Sequence, residues 1–147
     1  MSVEQYGAEM SEEEIMAFLE HSGLGTLAFG SENGGYALPM SFGYDSARGR
    51  CVFQFAFGDG SRKQAFIEAT NRVSLAVHEW NSVEDWRSVV LQGTLHRIPE
   101  DGQAKAAGLF AAHAKIASLD VFRQPLEELD LLWYELRIEK KHGRAAE

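Results

Sequence analysis

Apolar and polar positions alternate with a period of two over most of the chain, and helical spacing interrupts this alternation in a few places. The period-two stretches predict six strands: Thr26–Gly30, Tyr36–Tyr44, Arg50–Phe57, Arg72–Glu79, Trp86–Ile98 and Trp133–Lys140. Cys51, Phe53, Phe55 and Phe57 share one face of the third strand, and Val73, Leu75 and Val77 point inward from the fourth. In the fifth, Arg87, Val89, Leu91 and Gly93 oppose Trp86, Ser88, Val90 and Gln92. Turn residues at Ser31–Gly35, Asp45–Gly49 and Asn81–Asp85 separate successive strands.

Helical spacing begins after Ser11-Glu12-Glu13-Glu14, a capping box with Met10 and Ile15 placed as a hydrophobic staple. The stripe Ile15, Phe18, Leu19 then runs to a stop near Gly23. A short helix is predicted over Ser61–Thr70, with Ala65, Phe66 and Ala69 inward. Another is predicted over Gln103–Lys115, packing through Ala107, Phe110, Ala111 and Ala114. Ser118–Leu132 holds a further short helix with Pro125 early in it. Pro99–Gly102 breaks the chain between the fifth strand and these helices. Six strands with turn-sized connections and inserted helices define an α+β class, a small antiparallel barrel in one domain over residues 1–147. Closure into a barrel also removes the exposed edges that so many strands would create.

The stretch Tyr36–Lys63 carries the candidate chemistry. Leu38, Met40, Phe42 and Tyr44 form a large face, which is core, whereas Ala37, Pro39, Ser41 and Gly43 form a small one. The small face leaves backbone accessible to a flat ring. Gly58-Asp59-Gly60-Ser61-Arg62-Lys63 places two cations at a helix start, where backbone N–H groups and the dipole favour an anion. Two cations in a first turn oppose the macrodipole, so a bound anion accounts for them better than stability does. Ring surface and anion site together suggest a phosphorylated planar cofactor.

Composition narrows the partners. A net charge of −8 argues against sequence-blind nucleic-acid binding, which needs a basic face. Cys51, the only cysteine, has no internal disulfide partner, and reads as a small buried hydrophobe in a reducing compartment. Met1–Met10 lacks the basic and apolar regions of a signal peptide and no apolar run would span a membrane, so a cytoplasmic location is expected. His21, His78, His96, His113 and His142 lack metal-ligand spacing, so no metal site is predicted. No GxSxG, GxxxxGK[ST] or GxGxxG occurs, and no side chain stands out as a dedicated acid or base. Trp80, Trp86 and Trp133 read as core or interface residues.

The order and spacing of four pieces resemble a known family. They are Ala37-Leu38-Pro39-Met40-Ser41-Phe42-Gly43-Tyr44-Asp45, Val52-Phe53-Gln54-Phe55, Ser61-Arg62-Lys63 and Trp86-Arg87-Ser88-Val89-Val90-Leu91-Gln92-Gly93. From about Leu24 to Ile98 the chain resembles the FMN-binding split barrel of the pyridoxamine 5′-phosphate oxidase-like superfamily, nearest its short nitroimidazole-resistance and flavin-reductase branch. The resemblance implies a six-stranded antiparallel split barrel with flanking helices, and a homodimer with FMN at its interface. It implies that Pro39, Met40, Ser41 and Phe42 line the isoalloxazine largely through backbone groups. Gln54 and Phe55 would flank the ribityl chain or phosphate. Arg62 and Lys63, with Ser61 at the same helix start, would hold the phosphate, and Ser88 would hydrogen-bond the flavin, often from the other subunit.

Three departures argue against oxidation of a vitamin B6 phosphate. The oxidase itself places basic residues where Ala37 and Phe42 stand here. Ile138-Glu139-Lys140-Lys141-His142-Gly143-Arg144 matches its substrate-binding C-terminal segment only loosely, with Lys141 near the position of a Trp. The function implied is an FMN-dependent oxidoreductase that takes electrons from reduced nicotinamide or a similar donor and reduces a small molecule. The alternatives are a non-catalytic flavin-binding sensor, or the same barrel holding haem, through an axial His78 or His113, or the deazaflavin F420.

Overall fold

A computed structural model describes residues 7–32, 34–57, 65, 67, 70–114 and 130–147. The elements are β1 (Ala8–Glu9), α1 (Glu12–Ser22), β2 (Leu24–Ser31), β3 (Gly34–Ser41), β4 (Gly43–Asp45) and β5 (Arg50–Phe57). They continue with β6 (Arg72–Ser82), β7 (Asp85–Arg97), a 3₁₀ turn at Glu100–Gly102, α2 (Gln103–His113) and β8 (Asp130–Ala145). The expected helices over Ser61–Thr70 and Ser118–Leu132, and the Gly58–Lys63 loop, lie outside the described residues except at a few positions.

α1 forms where the capping box predicts. Ser11 N–H donates to Glu14 Oε1 at 3.0 Å and Glu14 N–H to Ser11 Oγ at 3.2 Å. Gly23 ends the helix at φ 77°, a conformation that only glycine adopts without strain. Met10 and Ile15 are buried against Gly143, where a Cβ would fall 2.8 Å from both Ile15 Cγ1 and Met10 Sδ. That close approach seats the start of α1 on β8.

All strand pairs are antiparallel, in one sheet ordered β3-β2-β6-β7-β8-β5-β4, with β1 added beside β8. The architecture is the expected α+β split barrel, but with eight strands in place of six. The added strands are β1 and a division of the predicted Tyr36–Tyr44. β3 pairs with β2 and β4 pairs with β5, and between them Phe42 N–H leaves both ladders to donate to Gly23 O at 3.0 Å. The two ends of the hydrogen-bonded path are therefore joined by the chain itself rather than by a ladder, which is what splits the barrel. β8 is twice as long as its alternation suggests, 16 residues, because it pairs with β5 through its first half and with β7 through most of its length.

The core follows the predicted faces. Phe42, Phe53, Phe55, Leu27, Leu75, Val77, Val89, Leu91 and Leu136 are fully enclosed. Burying each such side chain is worth ~1.5–3 kcal/mol. A second, smaller cluster forms outside the barrel, where Ala106 and Leu109 of α2 pack with Val52 and Ile98, and Phe110 meets Trp133 edge-on at 5.4 Å. Two expectations fail here for one reason. Gly43 belongs to the bare face by alternation, yet it is buried under α2, where a Cβ would fall 2.8 Å from Leu109 O. The packed side of α2 is Ala106, Leu109 and Phe110, and Ala111 is exposed. The docking angle of α2 on the sheet sets which residues it buries, and a helix of alternating alanines carries little signal for that angle.

Candidate functional site

β3 ends the sheet path, so its second edge pairs with no strand among the described residues. Pro39 is exposed, Met40 and Ser41 are half-buried, and Phe42 is fully enclosed. Gln54 is half-buried on β5 opposite Trp133, whereas Phe55 is fully enclosed and meets Tyr134 edge-on at 5.2 Å. Phe42 and Phe55 therefore reach a cofactor only through their main chains. Ser61, Arg62 and Lys63 lie outside the described residues.

Ser88 is half-buried on β7, opposite His78 of β6 and Arg144 of β8. Within one chain β2 and β6 separate it from β3, a distance of about 14 Å at ~4.8 Å per strand. One chain thus places Pro39, Met40, Ser41 and Phe42 together but does not bring Ser88 to the same ring edge. A cross-strand row, Pro39–Thr26–Ala76–Val90–His142, spans the outer face between them with mostly short side chains.

Beside these residues is a cavity of about 550 Å³ between α1 and the end of the β6–β7 hairpin. Its neighbours tie it to the predicted ring strand. Leu24 in its wall pairs with Ser41, and His78 in its wall pairs with Ser88. α1 supplies Glu14, Ala17, Phe18, His21 and Ser22, and the hairpin supplies His78, Glu79 and Arg87. Arg87 is held twice, its guanidinium 5.4 Å over the Phe18 ring and its Nη2 3.3 Å from Glu79 Oε1. Asn81 Nδ2 donates to the same Glu79 oxygen at 3.1 Å. His21 Nδ1 lies 2.9 Å from Ala17 O. A carbonyl only accepts, so Nδ1 donates this hydrogen bond and Nε2 is left for another partner. The Ser11 hydrogen bonds lower the pKa of the Glu14 carboxyl, leaving it ionised in the cap.

His21, Glu79 and Arg87 gave no sequence signal as site residues. Glu79 and Arg87 are eight residues apart across a hairpin, and their pairing requires the register of β6 on β7. His113 does not line this cavity. Lys141 is tied to α1 instead, with Nζ 2.6 Å from Glu12 Oε1, a hydrogen bond that lowers the Glu12 pKa. Burial pushes the Cys51 thiol up, as befits a hydrophobe rather than a nucleophile. Among the described residues no three His, Cys, Asp or Glu side chains are grouped to hold a metal ion, and no helix is long and apolar enough to cross a membrane.

An antiparallel barrel whose two end strands, β3 and β4, are joined by the chain itself, with helices outside, is a split-barrel protein. The chain belongs to the pyridoxamine 5′-phosphate oxidase family, whose family model matches residues 11–145. No curated protein matches the sequence. Among solved structures, an FAD-binding protein from Mesorhizobium loti superposes with a TM-score of 0.72 at 20% identity, over 95% of this chain and 98% of that one. A candidate 5-nitroimidazole antibiotic resistance protein from Bacteroides thetaiotaomicron gives 0.67 at 15% identity, over 95% and 90%. An FAD and heme binding protein from Mycobacterium smegmatis gives 0.66 at 20% identity, over 93% and 72%.

Proposed function

We propose that this chain is a flavin-dependent oxidoreductase that binds FMN and reduces a small-molecule acceptor. The observation that supports the reading is β3, which ends the hydrogen-bonded path of strands among the described residues and carries Ala37 and Pro39 exposed on its outer face, a surface a flat ring would lie against. The FAD-binding relatives support a flavin as the ring. Pro39, Met40, Ser41 and Phe42 would hold the isoalloxazine through the main chain, Gln54 would face the ribityl chain, and Ser61, Arg62 and Lys63 the phosphate. Charge-assisted phosphate contacts of this kind are worth roughly 1.5–3 kcal/mol each. When bound, the flavin supplies two-electron transfer between a reduced donor such as a nicotinamide and the acceptor. The protein's part is to position it and exclude water.

The same reading includes a homodimer with the cofactor at its interface. Ser88 stands too far from β3 in its own chain to serve the same ring, and a second copy would bring it there. Leu24, Trp80 and Val90 are 48%, 62% and 37% exposed on this outer face, a surface a partner would cover. Sedimentation should give a dimer, and Val90→Asp should shift it toward monomer and weaken flavin retention together.

The deciding experiment is the absorption spectrum of purified protein before and after FMN or FAD is added, followed through desalting. Retained flavin bands support the reading, and no retained chromophore overturns it. A second reading, haem, is favoured by one observation: the exposed His78 imidazole beside the cavity. A Soret band lost in His78→Ala would establish it instead.

A further inference from the structure

We propose that the cavity between α1 and the β6–β7 hairpin is the acceptor site, that it takes a conjugated carbonyl compound of the quinone type, and that His21 donates the proton. This rests on the flavin reading for its source of electrons. Phe18, Ala17, Met10 and Leu24 give the cavity apolar walls suited to a planar ring, and about 550 Å³ is room for one. Arg87, His21 and His78 line the same space. Arg87 lies over the Phe18 ring and pairs with Glu79 at one nitrogen, so its remaining donors are available to an oxygen that gains negative charge on reduction. A quinone develops such charge on its oxygens, whereas an aliphatic or cationic substrate uses neither the donors nor the flat wall.

The proton inventory singles out His21. Its Nδ1–H is committed to Ala17 O, which orients the ring and leaves Nε2 to face a substrate. Reduction of the quinone to the hydroquinone takes a hydride, which a reduced flavin would supply and so be left oxidised, and a proton, which His21 would give through Nε2–H and regain from solvent. The other charged or titratable groups lining the cavity are Glu14 on α1 and His78, Glu79 and Arg87 on the hairpin. Glu14 is engaged in the helix cap and Glu79 in the Arg87 pair, which leaves the two histidines, and of these His21 is the one whose ring a hydrogen bond orients.

The test has two arms on the full-length protein with 2-methyl-1,4-naphthoquinone as probe. Protein loaded with FMN and reduced anaerobically is mixed with the probe over a range of pH, and reoxidation is followed. His21→Gln, whose amide can still donate to Ala17 O, should slow reoxidation about 100-fold and abolish its acid-favoured pH limb, with flavin retention unchanged. In the second arm the probe is added to flavin-free protein, and the imidazole C–H resonances of His21 and His78 should shift together, an effect Arg87→Met should remove. If FMN is not retained, the flavin reading fails while the second arm still tests the cavity. If FMN is retained but reoxidation is unchanged in His21→Gln, or slowed only in His78→Gln, the assignment of His21 is overturned. If the probe shifts neither histidine, the cavity is not the site.

Discussion

At residue scale, one buried charge carries more than any other. Arg50 is buried between two carboxylates, with Nε 2.9 Å from Asp45 Oδ2 and Nη1 2.7 Å from Glu135 Oε2, while Arg137 Nε reaches the other Glu135 oxygen at 2.8 Å. Burial alone raises the Glu135 carboxyl, but hydrogen bonds from Arg137 and Arg50 outweigh it and its pKa is lowered overall. A lowered folded-state pKa contributes stability above the ordinary carboxylate range, and that stability is lost as pH falls through the folded value. Arg50→Met leaves the buried Asp45 carboxylate without its cation and the half-buried Glu135 with Arg137 alone, and should cost ~3–5 kcal/mol at neutral pH. The cost should shrink on acidification, because a protonated Glu135 needs no counter-ion. Urea unfolding of both proteins at neutral pH and near pH 4 reads this directly. A constant difference between them would show that the network carries no pH-dependent stability.

At the scale of elements, α2 holds the outside of the split against β4 and β5. Gly43 lets the helix approach, and Phe110 on Trp133 locks it. Gly43→Val should wedge α2 away, at a cost of ~1–3 kcal/mol. Loss of the Phe110 contact should shift Trp133 fluorescence to longer wavelength. A stable protein with unchanged emission would mean that α2 docks without this close approach.

At the scale of the molecule, β8 is the strand on which closure depends. Its last turns pair with β7 from Lys140 to Ala145, β1 adds to its edge, and Met10 N–H bonds Gly143 O at 2.9 Å. Removing residues 140–147 strips β7 of its partner from Arg87 to Gln92 and leaves the capped end of α1 without support. Domains of this size are stable by only ~5–15 kcal/mol, so the truncated chain should lose its near-UV circular dichroism and its cooperative urea transition. A retained cooperative transition would place the barrel's stability in β2–β7 and the remaining first part of β8.

Local chemistry on its own was enough for the boundaries and faces of most elements. The Ser11–Glu14 cap, the Ile15, Phe18, Leu19 stripe and the inward positions of β5, β6 and β7 are legible because side-chain period and capping are short-range properties. The break of one alternating run at Phe42 was not legible, because period two continues through it, and only the competition of β2 and β5 for its two halves separates β3 from β4. The length of β8 depended likewise on distant partners. So did the fit of Gly93 against the Arg137 carbonyl, at the irregularity where β7 and β8 shift register. The cavity that joins His21 to His78 and Arg87 came from packing alone, since α1 and the hairpin are far apart in the chain and meet only when the barrel closes.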